Sequence, residues 1–258
     1  MATYTKNQLK PIYDFAYAYL QQRAQQQSIS PHELEKYFNP LNNIFTPNAT
    51  LDTVYDRFLI SLQNRNSMPN VIKYNQHHDE IRKQLNIAQP NGYKNLINAD
   101  INELINKFNA KSKLWQIWLQ GAVDAAKWLS EFNNLEEFKS SLGGQHSFNP
   151  DIPQKISKKI TGFGFALACD FLKELGFINY SKPDVHLINM LKGLKLIDKH
   201  TSEQEVLRII KEMADSVNVP AYQVDKIFWL IATENFYLDL SQPLSLRDKF
   251  IKSYSTKE

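Results

Sequence analysis

Two glycines form the most chemically suggestive turn in this sequence. Gly162 and Gly164 lie in the run 161–164 (TGFG), between predicted helices over 153–160 and 165–176. Glycine can adopt backbone angles that are closed to other residues, and it lets the chain approach a ligand closely. The N-terminus of the second helix presents unpaired N–H groups, which suit a phosphate. By itself such a turn is more often only a turn, so both interpretations stay open at this point.

An aspartate follows this turn after one helix and one loop. Asp184 stands twenty residues after Gly164 and directly after Pro183. A proline biases the residue before it, Lys182, towards an extended conformation, and Asp184 is therefore predicted to begin the next helix. The ordinary role of an aspartate at that place is to cap the helix. A turn, a helix, a loop and an aspartate in this order favour a role beyond capping.

The segment 160–186 resembles the helix-hairpin-helix superfamily of DNA glycosylases, which includes endonuclease III and the 8-oxoguanine glycosylases. Members follow L-P-G-V-G-x-K-x-A, a helix and then V-D-x-H, where this chain has I-T-G-F-G-F-A-L-A and P-D-V-H. The likeness covers about 50–240. It implies excision of a damaged or modified base from double-stranded DNA, with Asp184 as the catalytic carboxylate. The matching positions are Gly162, Gly164, Ala168, Asp184 and His186.

The resemblance also implies a phosphate-binding hairpin. Its residues in this chain are Thr161, Gly162, Phe163, Gly164, Phe165 and Ala166. A monovalent cation, Na⁺ or K⁺, can sit in such a hairpin and bridge to the phosphate. Thr161 replaces the proline that is usual in the family, but threonine can still support a turn. Basic residues near the motif that could contact phosphates, or only water, are Lys158, Lys159 and Lys182.

A second stretch, residues 58–73, resembles the family's helix and loop that end in L-S-x-Q-x-T or S-x-N-N-N. By this resemblance Gln63 and Asn64 enter the gap left by the flipped base, and the alternative is a solvated loop. Residues 224–230 resemble the helix that lines the base pocket of 8-oxoguanine glycosylases, and the alternative is an amphipathic core helix. Candidates for the base pocket are Cys169, Asp170, Phe228 and Trp229, although Cys169 is also typical of a small buried residue.

One departure from the family pattern bears directly on the chemistry. Bifunctional members carry a lysine two residues after the second hairpin glycine, and this lysine attacks the sugar and forms a Schiff base. This chain has Ala166 there, which cannot act as a nucleophile. The departure predicts base excision without strand cleavage, unless a nearby lysine reaches the sugar from another direction.

The elements that must position these residues are predicted to be all helical. Apolar residues recur at helical spacing, no segment alternates with the period of a strand, and Gly176 is a usual terminating residue. Predicted starts are Ser30-Pro31, Asp52, Asp184, Thr201 or Ser202, and Val219-Pro220. Predicted helices cover 7–27, a short segment from 31, 53–65, 69–86, 100–109, 112–130, 134–141, 153–160, 165–176, 184–194, 202–217, 220–238 and 243–258.

The resemblance implies an all-α glycosylase fold with two helical subdomains and a DNA-binding cleft between them. Residues 1–50 are predicted to pack with the C-terminal subdomain. Residues 50–155 are predicted to form a helical-barrel subdomain. Residues 156–258 are predicted to carry the helix-hairpin-helix motif, the aspartate loop and the C-terminal helices.

Composition excludes several classes of protein. One cysteine, Cys169, cannot form an intramolecular disulfide or a four-cysteine iron–sulfur cluster. No apolar run is long enough to span a membrane, and the first residues lack the apolar core of a signal peptide, so a cytoplasmic protein is predicted. The net charge of +3 permits a nucleic-acid partner without requiring one.

Two clusters of side chains are better explained by structure than by chemistry. His77 and His78 are adjacent on a predicted helix and therefore do not share a face, so no metal site is predicted. Trp115 and Trp118 do share a face, which is more typical of a core than of a base-stacking surface.

Three functions remain open from the sequence. The chain could be a monofunctional glycosylase, a catalytically inactive DNA-binding module that uses the same hairpin, or a helical protein-interaction domain that resembles the motif by chance. The first two predict salt-dependent DNA binding, and only the first predicts abasic sites that depend on Asp184. No protein partner is predicted. The excised base, the opposite base and the oligomeric state stay open.

Overall fold

A computed structural model describes residues 4–38, 45–65, 68–233 and 246–256 of the chain. Over these residues the protein is all-helical, as the sequence predicts, and no β-strand is present among them. A 3-10 helix, Gly92–Leu96, follows the fifth α-helix. The α-helices are α1 (Lys6–Gln26), α2 (Pro31–Phe38), α3 (Leu51–Gln63), α4 (Met68–Ile72), α5 (His78–Gln84), α6 (Ile101–Lys107), α7 (Lys113–Leu129), α8 (Leu135–Ser141), α9 (Asp151–Lys159), α10 (Phe165–Glu174), α11 (Val185–Gly193), α12 (Glu203–Val217), α13 (Ala221–Thr233) and α14 (Leu246–Ser255).

Polar side chains begin several helices. Asp184 accepts backbone N–H groups at the start of α11, and Ser202 does so at the start of α12, as predicted. The predicted start of α3 at Asp52 is wrong, because the helix begins after Thr50. Asp52 lies in the first turn instead and accepts the N–H of Asn91 at 2.7 Å. An acidic residue in the first turn still interacts favourably with the helix dipole.

The predicted helix over 69–86 is wrong in its continuity, because α4 and α5 occupy this span as separate helices. The chain turns between them at Lys73, whose φ is +52°. Directly after it, the backbone N–H of Tyr74 donates to Oε1 of Gln63 at 2.8 Å. A left-handed residue cannot continue an α-helix, and the side chain of Gln63 takes the N–H that follows. The end of the predicted helix 220–238 and the start of 243–258 lie outside the described residues.

The chain divides into two compact units. The first lies within Met1–Leu41 and Ile178–Glu258, where α1 packs against α12 and α13. Side chains at helical spacing along α1, including Leu9, Ala16 and Leu20, are fully buried in its apolar core. Both ends of the chain therefore contribute to one core, and Asp184 belongs to this unit.

The second unit lies within Asn42–Phe177 and contains the glycine hairpin. Its helix α7 packs against α3, and the hairpin helices α9 and α10 pack against α7 and α3 respectively. Trp118 on α7 is fully buried, and its indole N–H donates to the carbonyl of Leu59 at 3.4 Å. The hairpin helices thus share a unit with residues 45–155, and the division falls after Phe177 rather than between residues 155 and 156.

Candidate functional site

The hairpin between α9 and α10 is anchored by one of its own aromatic side chains. Gly162 has φ +80°, the left-handed region that favours glycine. The next residue, Phe163, is only 2% exposed, and its ring centroid lies 4.4 Å from that of Phe58 and 6.0 Å from that of Phe171. The left-handed turn therefore aims Phe163 into the core. Among the predicted hairpin residues, Phe163 serves as the anchor and offers no surface to a ligand.

Helix α7 fixes the hairpin from beneath. The N–H of Thr161 donates to Oδ2 of Asp124 at 2.9 Å, and Oδ1 of the same carboxylate accepts from Gln120 at 2.8 Å. A Cβ added at Gly121 would lie 2.7 Å from the carbonyl oxygen of Thr161. Glycine on α7 thus allows a close approach of the two backbones, and one aspartate sets the position of the hairpin.

The start of α10 presents unpaired amide groups. The N–H groups of Gly164, Phe165 and Ala166 find no acceptor in the described part of the chain. Gly164 is exposed, and a Cβ added there would meet nothing within 4 Å. Its φ of −73° is ordinary, so the expectation of an unusual backbone angle holds for Gly162 and is wrong for Gly164. Glycine is favoured at the N-cap position that Gly164 occupies, and the open space around it also lets an anion approach the backbone closely.

Three cations surround the hairpin, and they are not equivalent. Lys158 is exposed and has no ion-pair partner among the residues that the structure describes. Lys159, predicted to contact a phosphate, forms an ion pair with Glu131 at 2.6 Å. Arg65 lies against the hairpin, with Nη1 3.1 Å from a Cβ built on Gly162. Arg65 was not predicted from the sequence as part of this site, although it directly follows the two candidate insertion residues.

The two residues predicted to enter the gap in the duplex have different environments. Gln63 is 3% exposed, and its side-chain oxygen holds the N–H of Tyr74. Asn64 ends α3 and is exposed. Insertion of Gln63 would break a buried hydrogen bond, which costs about 1–3 kcal/mol. Asn64 can move without that cost.

A polar cluster stabilises the chain between α4 and α5. The hydroxyl of Tyr74 donates to Oδ1 of Asp56 at 2.6 Å, and Arg82 Nη1 donates to the same oxygen at 2.9 Å. Burial, and secondarily the charge of Asp56, raise the pKa of Tyr74 well above its ordinary value, so the phenol stays a donor. Tyr74 follows α4, and Gln63 holds its backbone N–H, so the chain after α4 is tied to the end of α3 beside Asn64.

Asp184 caps α11 with one carboxylate oxygen and leaves the other unused. Its Oδ1 accepts the N–H groups of His186 and Leu187 at 3.0 and 3.1 Å. Oδ2 accepts no hydrogen bond from the described residues, and the side chain is half-buried. The following residue, Val185, is 61% exposed. The N-terminus of α11 thus holds one oxygen of the carboxylate in place, while the other oxygen stays available.

A buried aspartate on α13 braces the loop before Asp184. Asp225 is 3% exposed, and its Oδ1 accepts the N–H of Lys182 at 3.2 Å. The carbonyl of Lys182 in turn accepts the N–H of Asp184 at 2.8 Å. The half-buried Lys182, predicted as a phosphate contact, therefore has its backbone tied to this support. Sequence reasoning missed the role of Asp225, although a carboxylate within the apolar run of α13 was a visible signal.

The candidates for the base pocket are mostly internal. Cys169 is fully buried on α10, and Asp170 is 5% exposed with Oδ1 3.5 Å from Nζ of Lys173. Phe228 is fully buried in the core of the first unit. Trp229 is half-buried, with its ring centroid 5.8 Å from Nζ of Lys226. Of the four, Trp229 alone keeps appreciable exposed surface.

No metal centre or membrane span is present among the described residues. No group of three or more histidine, cysteine, aspartate or glutamate side chains there could hold a metal ion. His77 precedes α5, and the ring nitrogens of His78 lie 2.9 Å from Asp56 and 2.8 Å from Asp79. No helix in this part of the chain has both the length and the apolar character needed to cross a membrane. These histidines therefore belong to a network of surface and half-buried polar contacts.

Comparison with known proteins returned no family model, no curated protein and no solved structure that matches this chain. Its function is accordingly inferred from the hairpin and the aspartate loop.

Proposed function

We propose that this chain is a monofunctional DNA glycosylase with the helix-hairpin-helix fold, which flips a damaged or modified base out of double-stranded DNA and hydrolyses its N-glycosidic bond. One observation carries the proposal. A glycine hairpin with unpaired amides opens one helix, and twenty residues after Gly164 the carboxylate of Asp184 caps the next helix with one oxygen free. The motif resemblance predicts this same pair of features.

The hairpin supplies binding in this proposal. The N–H groups of Gly164, Phe165 and Ala166 donate to a backbone phosphate, and the dipole of α10 adds to the attraction. The carbonyl oxygens of Gly162 and Phe163 accept no hydrogen bond from the described residues. They fit a monovalent cation, which would supply positive charge next to the phosphate.

Base flipping costs a few kcal/mol, and the vacated space must be filled. Asn64 is better placed for this task than Gln63, since it is exposed and Gln63 is held by Tyr74. The phosphate held by the hairpin amides would keep the distorted strand in place while the base is out of the stack.

Asp184 supplies the chemistry. As the bond between C1′ of the sugar and the base nitrogen breaks, its electrons leave with the base and positive charge develops on the sugar. The carboxylate of Asp184 stabilises that charge, or its free Oδ2 takes a proton from the water that attacks C1′. The N–H groups of His186 and Leu187 hold Oδ1, so the carboxylate is oriented before the substrate binds. Ala166 provides no amine, so no Schiff base forms at that position.

The test is cleavage of a panel of end-labelled duplexes, each with one modified base, by the wild-type protein and Asp184→Asn. Each reaction is divided and analysed with and without hot alkali, which breaks DNA at abasic sites. We expect alkali-dependent breaks from the wild-type protein alone, on the duplex that contains its substrate base.

Other outcomes distinguish the competing functions. Breaks without alkali would show that a lysine acts as nucleophile and would contradict the monofunctional assignment. No breaks with any substrate, but salt-sensitive binding of the same duplexes, would indicate an inactive DNA-binding module. No binding at all would overturn both.

A further inference from the structure

Arg65 lies against the glycine hairpin. It follows α3, and its Nη1 lies 3.1 Å from the position that a Cβ on Gly162 would occupy. The side chain is half-buried. The left-handed turn at Gly162 therefore faces a guanidinium group, and a larger residue at 162 would displace it.

The charge of Arg65 is not neutralised within the described residues. No carboxylate forms an ion pair with it, whereas Lys159 is paired with Glu131 at 2.6 Å. The hairpin is in contact with a carboxylate, since Asp124 accepts the N–H of Thr161. The charge of Asp124 opposes phosphate binding at the hairpin, and Arg65 offsets it together with the exposed Lys158 on α9.

We propose that Arg65 binds a backbone phosphate of double-stranded DNA together with the hairpin amides. This inference rests on the proposed glycosylase function, because it assumes that DNA lies at the hairpin. Arginine suits the role, since its planar guanidinium forms two parallel hydrogen bonds with phosphate oxygens and keeps its charge at any physiological pH. Arg65 offsets Asp124, and Asp124 remains free to hold Thr161 in place.

Arg65 also connects the phosphate site to Asn64, the residue proposed to fill the gap left by the flipped base. Asn64 directly precedes Arg65, and Gln63, which holds the backbone N–H of Tyr74, directly precedes Asn64. A phosphate on the guanidinium therefore lies one residue along the chain from the exposed side chain of Asn64. Phosphate binding at the hairpin and filling of the gap in the duplex thus involve two consecutive residues.

The experiment measures binding of the full-length chain to a short undamaged duplex over a range of salt concentrations. The variants are Arg65→Gln, Arg65→Lys and, as a matched control, Arg208→Gln on the exposed face of α12. For Arg65→Gln we expect about tenfold weaker binding, and a slope of log K against log salt smaller by about one phosphate contact. Arg65→Lys should keep the slope and lose part of the affinity, since lysine retains the charge and lacks the fork. Arg208→Gln should bind as the wild-type protein does.

The possible outcomes test the role of Arg65 and the proposed function separately. Wild-type binding that Arg65→Gln leaves unchanged in affinity and slope would overturn the role of Arg65 and leave the proposed function standing. An equal loss in Arg208→Gln would also overturn it, because a general effect of charge would explain both variants. Absence of wild-type binding would overturn the proposed function and this inference together. Circular dichroism and thermal melting of each variant verify that the lost affinity does not come from a lost fold.

Discussion

Replacement of the two hairpin glycines by alanine should affect different properties. Gly162→Ala should mainly lower stability, and Gly164→Ala should mainly weaken DNA binding. Gly162→Ala places a Cβ at φ +80°, where an L-residue costs about 1–2 kcal/mol, and against Ile117 and Arg65. Gly164→Ala meets open space at an ordinary φ. There the lost entropy of the unfolded chain favours alanine by about 0.4–1 kcal/mol, and the poorer capping by alanine offsets most of that gain. We therefore expect Gly162→Ala to lower the free energy of unfolding by about 2 kcal/mol and Gly164→Ala to change it by less than about 1 kcal/mol.

For DNA binding, we expect the larger effect from Gly164→Ala. A methyl group at 164 occupies the space through which a phosphate reaches the amides of α10, so loss of one charge-assisted hydrogen bond predicts roughly tenfold to hundredfold weaker binding. Urea denaturation and fluorescence anisotropy with a labelled duplex measure the two quantities. Gly144→Ala is the control for backbone strain, because Gly144 has φ +85° and a Cβ there would meet nothing within 4 Å. Wild-type affinity in a stably folded Gly164→Ala would refute a phosphate at this glycine, and Gly162→Ala no less stable than Gly144→Ala would refute the close packing described for Gly162.

Substitutions at two further residues separate catalysis from folding in the aspartate loop. Asp184→Asn should abolish base excision by a factor of about 10² or more while keeping the helix cap, whereas Asp184→Ala should also lose about 1 kcal/mol of unfolding free energy. Equal destabilisation by both changes in urea titrations would contradict the capping geometry. Asp225→Ala should lower the single-turnover excision rate without weakening DNA binding, because Asp225 supports Asp184 through the N–H of Lys182. Asp225→Asn, which keeps an acceptor oxygen, should restore most of that rate, and a variant that lost binding and rate together would show a general structural role instead.

Helix positions were predictable wherever the signal is local. The cap at Asp184 and the stop at Gly176, which has φ +100°, each depend on residues within a few positions along the chain. The break between α4 and α5 was not predictable, because it depends on a hydrogen bond from Tyr74 to Gln63, a residue on another helix. Long-range contacts of this kind leave no periodic trace in the sequence.

The same distinction applies to the candidate site. The sequence identified residue types that could do chemistry, and the structure determines which of them are accessible and which are paired. Gln63 has the right chemistry but is buried, and Lys159 has the right charge but is paired with Glu131, which is distant in sequence. The helical spacing of Phe228 suits a residue that lines a pocket as well as it suits a core residue. The structure shows that Phe228 is buried in the core. Burial and pairing are properties of the fold, so composition and spacing could not assign them.

The balance of charge around the hairpin has a consequence for selectivity. A net charge of +3 gives the whole chain little general attraction for DNA, and two acidic residues, Asp124 and Glu131, take up hydrogen-bonding or charged groups at the hairpin. Few phosphate contacts mean weak binding to undamaged duplex and a shallow dependence on salt. Under the proposed function, discrimination then depends on the step after contact, since a damaged base leaves the stack at lower cost and brings its sugar to Asp184. An enzyme that searches long DNA needs to bind undamaged sites weakly and to react only at the few damaged nucleotides.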